Sequence, residues 1–171
     1  WYSEIGGQRK AEATQLCLTN EAMRAELVQQ ALAWIRKEPA AGMISISQND
    51  WAGRCECARC RAVEAAEGSP SGPLLRFVNA VAEAIEQEYP DFLIETLAYH
   101  YTRQPPKLVK PRRNVVVRLC SIECSYVQPL ATGAVQDSQF SGGFTPGAKP
   151  ISLLGLDPGF TLVLIDGRPM A

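Results

Sequence analysis

The chain has 171 residues, of which 46% are apolar and 20% are charged, so it can form one globular domain with a sizeable core. Its net charge of -1 excludes the strongly basic surface that binds nucleic acid or an anionic membrane. No run of about 18 apolar residues is present, which excludes a membrane-spanning helix, and six cysteines leave the cellular compartment open.

The apolar pattern predicts four strands, two helices and a basic loop. The first helix follows Asn20, which is a good N-cap, and it should end before Pro39 because the residue before a proline disfavours the helical conformation. The second helix is predicted to begin around Ser71 and Pro73 and to end at Pro90. The predicted strands cover residues 15–19, 42–47, 91–102 and 114–126, and the loop covers residues 103–113.

Strands that alternate with helices predict parallel pairing through right-handed crossovers, so the fold class is α/β. Two architectures fit: an open doubly wound sheet, and a fragment of a (β/α)8 TIM barrel with about four parallel strands and intervening helices. In both, functional side chains gather at the carboxyl ends of the strands. Those ends carry the polar and aromatic residues expected of a sugar-sized pocket, in the segments 48–50, 99–101 and 123–126.

Two carboxylates, Asp50 and Glu123, follow different predicted strands. A glycosidase needs a proton donor at the leaving oxygen and a second group that stabilises positive charge at the anomeric carbon. The alternatives are structural, since Asp50 could cap the turn that follows it and Glu123 could pair with Arg118. The aromatic residues near the strand ends could stack on sugar rings or pack the mouth of a barrel. They are Trp51, Tyr99, Tyr101 and Tyr126.

Three cysteines, Cys55, Cys57 and Cys60, have C-x-C-x-x-C spacing in the segment SISQNDWAGRCECARC. A structural zinc site commonly takes four ligands from two C-x-x-C pairs, whereas only one pair is present here; Cys55 could be a third ligand and His100 a fourth. A redox C-x-x-C belongs at a helix N-terminus, whereas this one is predicted to lie in a loop. We therefore predict no metal and no cofactor, and expect the three cysteines to brace the loop, by a disulfide if the protein is exported. The remaining cysteines could form a disulfide with one of these three, since connectivity cannot be read from sequence, or could be buried apolar fillers: Cys17, Cys120 and Cys124.

Several segments, in order and with similar spacing, resemble one bacterial family. They are QLCLTN, ISISQND followed by CECARC, GPLLRFVNAVAEAIEQEYPDFLIETLAYHYTRQPPK, and NVVVRLCSIEC. Over roughly residues 2–130 the chain resembles the bacterial domain of unknown function 4838, which has been reclassified in part as glycoside hydrolase family 163. The resemblance implies a (β/α)8 barrel and an endo-β-N-acetylglucosaminidase that cleaves the core of complex N-glycans, exported to the periplasm or cell surface.

The implied mechanism is retaining and substrate-assisted: the 2-acetamido oxygen of the substrate attacks the anomeric carbon, so no protein nucleophile is needed. On this chain, strand-end position and residue type select Glu123 as acid/base and Asn49 or Asp50 as the group that orients the acetamide. The expected partner is a glycan or glycoprotein substrate. The residues expected to contact it are Trp51, Tyr99, His100, Tyr101 and Tyr126.

The chain departs from the family pattern in two ways. It begins at Trp1 rather than Met, and its predicted strands make about half of a barrel, so we interpret residues 1–140 as a fragment whose missing half belongs to the same parent chain. Residues 141–171 are rich in Gly and Pro, and we hypothesise that this tail is read in a shifted frame or from a mis-called gene end. Translating the DNA in the other two frames tests this, since a family-like aromatic strand must then emerge.

Two other classes of function stay open. A non-catalytic carbohydrate-binding or scaffolding barrel domain would keep the fold and bind glycans without turnover. A structural zinc-binding module would contain stoichiometric zinc. We expect the fragment alone to be inactive, because a half barrel leaves a sheet edge unpaired.

Overall fold

The computed structural model describes residues 1–120 and, beyond them, only the backbone of residues 164–165 and 168–169. The helices of the first part are α1 (Glu21–Lys37), α2 (Ala58–Glu67) and α3 (Ser71–Glu86), and a 3-10 turn spans His100–Thr102. Its strands are β1 (Glu4–Ile5), β2 (Gln8–Arg9), β3 (Met43–Ser45), β4 (Leu93–Ala98) and β5 (Val115–Leu119).

The chain divides into two units, Trp1–Cys120 and Ser121–Ala171. In the second unit, β6 (Leu164–Ile165) pairs antiparallel with β7 (Arg168–Pro169). The domain boundary predicted at residues 140 and 141 lies outside the described residues.

The three strands β3, β4 and β5 form a parallel sheet in chain order. The register aligns Ile44 with Ile94 and Ile94 with Val115. Parallel neighbours require a long crossover connection, and α2 and α3 supply it between β3 and β4. The prediction of an α/β fold with parallel strands is therefore confirmed for this part of the chain.

Helix α3 provides most of the core. The apolar stripe of this helix is entirely buried, and its members are Leu74, Val78, Val81, Ala82 and Ile85. They form one cluster with Ile94 of β4 and Val115 of β5. The stripe recurs at helical spacing over four turns, and burying it against the sheet is what stabilises the helix.

Helix α1 begins and ends where the sequence predicts. The Asn20 side chain accepts a hydrogen bond from the backbone N–H of Met23 at 3.0 Å, which caps the first turn. The helix ends at Lys37, two residues before Pro39. Within residues 1–120, no helix combines the length and the apolar content that crossing a bilayer requires.

The prediction of a strand at residues 15–19 is wrong. Residues 18–19 form a turn, Leu16 makes an isolated bridge with Tyr2, and Thr14, just before the segment, makes another with Gly53. The backbone N–H of Gln15 donates to the Gly53 carbonyl at 3.0 Å. Its partners are therefore the chain start and a loop, and it adds no strand to the parallel sheet.

Helix α2 was not predicted. Its sequence, ARCRAVEAAE, has no apolar stripe, so helical periodicity gives no signal there. Cys57 is the N-cap residue, and Gly68 ends the helix in the left-handed conformation at φ 65°, which glycine adopts without a Cβ penalty. The C-x-x-C motif, expected in a loop, therefore lies at a helix N-terminus.

Two buried or half-buried carboxylates tie the elements together. Glu67, at the end of α2, accepts backbone hydrogen bonds from Leu108 and Val109 at 2.8 and 3.0 Å and pairs with Arg76. Glu86, at the end of α3, pairs with Arg112 and Arg113. Burial opposes ionisation of Glu67, but its donors outweigh this and lower its pKa, and the two arginines lower the pKa of Glu86.

These two carboxylates should make the stability of the chain fall in acid. A folded-state pKa below the ordinary value of 4.5 contributes stability that is complete above about pH 4.5 and is lost as the pH falls through the folded-state pKa. Urea unfolding midpoints measured from pH 7 to pH 3 should therefore be level and then decline. The decline should be shallower in Glu67→Gln, and it should be unchanged in the exposed control Glu12→Gln. An equal decline in both variants would remove Glu67 as the cause.

Candidate functional site

The carboxyl ends of β3 and β4 meet at one edge of the sheet. In the parallel register Ser45 pairs with Glu95, so residues 47–50 and residues 99–102 leave the sheet on the same side. The chain after β4 turns at once into the 3-10 turn, where Thr102 Oγ1 accepts from the backbone N–H of Tyr99 at 3.1 Å. Two of the predicted strand-end segments are thus adjacent, as expected from the sequence.

Three hydrogen bonds join these two strand ends. The Tyr99 hydroxyl donates to Asp50 Oδ1 at 3.1 Å. Gln48 Nε2 donates to the Tyr99 carbonyl at 3.2 Å, and Gln48 Oε1 accepts from the Thr102 hydroxyl at 2.6 Å. Asp50 is exposed, so its carboxylate is accessible beside the Tyr99 phenol.

His100 lies beside this pair. Its ring centroid is 4.0 Å from that of Tyr99. Its φ of 50° places it in the left-handed region, which costs a non-glycine residue free energy but which histidine adopts more readily than most. The backbone turn therefore presents an imidazole and a phenol together at the sheet edge.

Asn49 has a different position from Asp50. Its side-chain amide donates to the Thr14 carbonyl at 3.2 Å, and its backbone N–H donates to Gln15 Oε1 at 2.8 Å. Gln15 is buried, and its Nε2 donates to the carbonyls of Asn49 and Trp51. Asn49 and Gln15 therefore attach the loop after β3 to the N-terminal segment, a role that the local sequence of Gln15 does not signal.

The other predicted aromatic residues lie around the same loop. The Trp51 side chain is 56% exposed. The Arg54 guanidinium carbon lies 5.9 Å from the centroid of the Tyr101 ring, and burial raises the pKa of Tyr101 to about 12. Glu123 and Tyr126 lie outside the described residues, as does Cys124.

Glu95, in the middle of β4, is 5% exposed and pairs with Arg118 of β5. Arg118 thus binds a carboxylate of the neighbouring strand, and its alternative pairing with Glu123 lies outside the described residues. This ion pair spans two parallel strands and is structural.

A second cluster of side chains, made of four cysteines, lies next to the loop after β3. The sulfur atoms of Cys17, Cys55, Cys57 and Cys60 all lie within 4.8 Å of one another, and all four residues are buried. The Cys17 sulfur is 3.7 Å from that of Cys57 and 3.9 Å from that of Cys60. The four are free thiols, with no disulfide among them.

This cluster bears on three expectations. Cys17, interpreted as an apolar filler, is the fourth member, although it lies 40 residues before Cys57. His100 does not belong to the cluster among the described residues. A disulfide was expected in the C-x-C-x-x-C segment only if the protein is exported, and in this structure Cys55, Cys57 and Cys60 are free thiols.

Polar groups surround the four sulfur atoms. The backbone N–H of Glu4 donates to Cys55 Sγ at 3.3 Å, and the Arg9 guanidinium donates to the same sulfur at 3.5 Å. The Thr19 hydroxyl lies 3.2 Å from Cys60 Sγ. Burial opposes ionisation of Cys57, but hydrogen bonds from the Cys60 backbone N–H and from neighbouring side chains outweigh it and lower the pKa of Cys57 to about 6. For Cys60 burial dominates and raises the pKa.

A groove of about 560 Å³ runs between α1 and β3. Its walls include Leu27, Trp34 and Ile44, and Gln48 and Asn49 lie at one end. Asp50 and Tyr99 do not line it. Because the groove is mainly apolar, the candidate functional site is assigned to the polar contacts at the strand ends and not to this groove.

Comparison with known proteins gives one result. The profile of a family described as "Domain of unknown function (DUF4838)" matches residues 1–142. Neither the curated proteins nor the solved structures yielded a match. The family profile spans the parallel sheet, the strand-end residues and all four clustered cysteines. The chain therefore belongs to the family of the domain of unknown function DUF4838.

Proposed function

We propose that this chain is part of a carbohydrate-active enzyme, a glycoside hydrolase of endo-β-N-acetylglucosaminidase type that acts on N-glycans. The observation that carries the proposal is the contact of Asp50 with the Tyr99 hydroxyl at the carboxyl ends of two parallel strands. That edge is where α/β folds hold their substrates. An exposed carboxylate, a phenol and an exposed indole are groups that bind sugar hydroxyls and stack on sugar rings.

The contacts favour Asp50 over Asn49 as the group that orients the acetamide. Both residues are exposed, but the Asn49 side-chain amide donates to the Thr14 carbonyl in the N-terminal segment, whereas the Asp50 carboxylate accepts from the Tyr99 hydroxyl across the two strand ends. A carboxylate that accepts the acetamide N–H makes the acetamide oxygen a better nucleophile. Glu123 remains the proposed acid/base, and it would protonate the leaving oxygen and then activate water.

We propose further that the three parallel strands belong to a (β/α)8 barrel. One edge of β3 has no strand paired with it among the described residues, and the apolar groove follows that edge. Open strand edges and apolar grooves are normally covered in stable proteins. A preceding βα unit of the same parent chain would cover both.

Binding by the chain itself tests the site. N,N'-diacetylchitobiose should bind, and Asp50→Asn and Tyr99→Phe should each raise its Kd about five- to tenfold, because each removes one hydrogen bond to the sugar or to its partner at the site. Isothermal titration calorimetry measures this. The matched controls Asp91→Asn and Tyr89→Phe lie before β4, at the opposite edge of the sheet, and should bind like the wild type. No binding, or equal losses in the controls, contradicts the site.

Turnover distinguishes the enzyme from a binding domain. The full-length parent should release the glycan from a chitobiose-core glycopeptide, detected by mass spectrometry, and Glu123→Gln should abolish release while leaving binding intact. Binding without any turnover by the full-length parent would favour the alternative, a non-catalytic carbohydrate-binding or scaffolding domain.

A further inference from the structure

We propose that Cys17, Cys55, Cys57 and Cys60 bind one Zn²⁺ ion as four thiolates, and that this ion holds the loop after β3 in place. The proposal stands apart from the carbohydrate activity and replaces the expectation of no metal. That expectation depended on counting C-x-x-C pairs, and the fold supplies the missing ligand, Cys17, from a distant segment.

The sulfur geometry fits a single ion. Zinc–sulfur bonds of about 2.3 Å in a tetrahedron place the sulfur atoms about 3.8 Å apart. The measured separations from Cys17 are 3.7 and 3.9 Å, and all four sulfur atoms lie within 4.8 Å of one another. A disulfide needs about 2.05 Å and joins only two sulfur atoms, so it does not account for four that converge.

The ligand set selects the metal and its role. Four thiolates are soft ligands that favour zinc over magnesium or calcium. A site closed by four protein ligands leaves no position for water or substrate, which is the arrangement of structural rather than catalytic zinc. Complete burial of the four residues agrees with this role.

The surroundings can stabilise the charge. Zn²⁺ with four thiolates carries a net charge of -2, and binding releases the four thiol protons. The Arg9 guanidinium and the Glu4 backbone N–H donate to Cys55 Sγ, and the Thr19 hydroxyl lies 3.2 Å from Cys60 Sγ. Cys57 and Cys60 lie at the N-terminus of α2, where the helix dipole favours negative charge. Donors of this kind orient the ligands of metal sites.

The ion would join three segments. Cys17 lies two residues after Gln15, whose side chain donates to the Asn49 carbonyl in the loop after β3. Cys55 lies at the end of that loop, and Cys60 lies in the first turn of α2. Metal binding therefore connects the N-terminal segment, the loop with Asp50 and Trp51, and a helix. This loop has little regular structure of its own, so the ion would add to the hydrogen bonds by which Gln15 and Asn49 attach it to the N-terminal segment.

Metal content tests the proposal directly. The chain, purified under reducing conditions, should contain about one zinc per chain by plasma mass spectrometry. Cys17→Ser and Cys60→Ser should lose it, and the matched control Cys120→Ser, at the end of β5, should keep it. Replacement by Co²⁺ should give the intense sulfur-to-metal charge-transfer bands of a tetrahedral thiolate site, and these bands should disappear in the two ligand variants.

A second measurement does not depend on how the variants fold. In the wild-type chain, alkylation followed by peptide mapping should show Cys17, Cys55, Cys57 and Cys60 protected, and a chelator should make all four reactive. Reduced, folded protein without zinc overturns the proposal, and so does a Cys57–Cys60 disulfide, which would indicate a redox pair. Iron–sulfur absorbance would overturn it as well.

Discussion

Replacing Ile85 by alanine should lower the free energy of unfolding by about 2–5 kcal/mol. The Ile85 side chain is 0% exposed and belongs to the cluster that joins α3 to the sheet through Ile94. Truncation removes the transfer free energy of the lost methyl and methylene groups and leaves a cavity that the surrounding helix and strand cannot fill without moving.

Urea unfolding followed by tryptophan fluorescence measures this effect. All three tryptophans, Trp1, Trp34 and Trp51, lie in the first unit, so the signal reports on the unit that contains Ile85. The matched control is Leu108→Ala, because that side chain is 59% exposed, and it should change the free energy by less than about 0.5 kcal/mol. A loss below about 1 kcal/mol for Ile85→Ala would contradict the packing of α3 described here.

Gly72→Ala should destabilise the chain by about 1–3 kcal/mol. In a helix, alanine is ordinarily more favourable than glycine by up to about 1 kcal/mol, so the expected sign is opposite to that of intrinsic propensity. A Cβ atom at Gly72 would lie 2.5 Å from both Cβ and Cγ of Glu67. Glu67 cannot move away cheaply, because its carboxylate is held by Arg76 and by the backbone of Leu108 and Val109.

Gly42→Ala is the control for this substitution. No atom lies within 4 Å of the position that its Cβ would occupy. It should be neutral or stabilising by up to about 1 kcal/mol, since alanine reduces the entropy of the unfolded chain. If Gly72→Ala were as stable as Gly42→Ala in urea unfolding, the close approach of α3 to Glu67 would be refuted.

Helices with a strong apolar period were predictable, and the one without it was not. In α3 the buried residues recur at helical spacing over four turns, and in α1 a cap and a proline mark both ends. Helix α2 consists mainly of alanine and charged residues, and it is held by its end groups, Cys57 and Glu67. Contacts at the two ends of a helix do not require apolar residues at helical spacing, so the sequence gives no periodic signal for α2.

The strand at residues 15–19 failed for a related reason. Its apolar residues suit a strand, but pairing depends on which neighbour offers free backbone groups. Here those neighbours are Tyr2 and Gly53, so the segment contacts the chain start and the loop after β3 and does not join the parallel sheet.

For the candidate site, the sequence by itself determined the residue types at the strand ends. A polar run after β3 and a Tyr-His-Tyr run after β4 predict a functional edge, because parallel strands bring their carboxyl ends together. The contact between Asp50 and Tyr99 spans 49 residues of sequence, and only the register of β3 with β4 decides that these two side chains meet.

For the cysteines too, the sequence determined the local spacing and the tertiary structure determined the cluster. The spacing of Cys55, Cys57 and Cys60 is local, and the sequence alone identified it as a unit. Only the tertiary structure supplies a fourth cysteine to this unit. The N-terminal segment folds back along the loop and places the Cys17 sulfur 3.7 Å from the Cys57 sulfur. Short-range spacing can be read from a sequence; the convergence of distant segments follows from the burial and hydrogen bonding that the whole fold must satisfy.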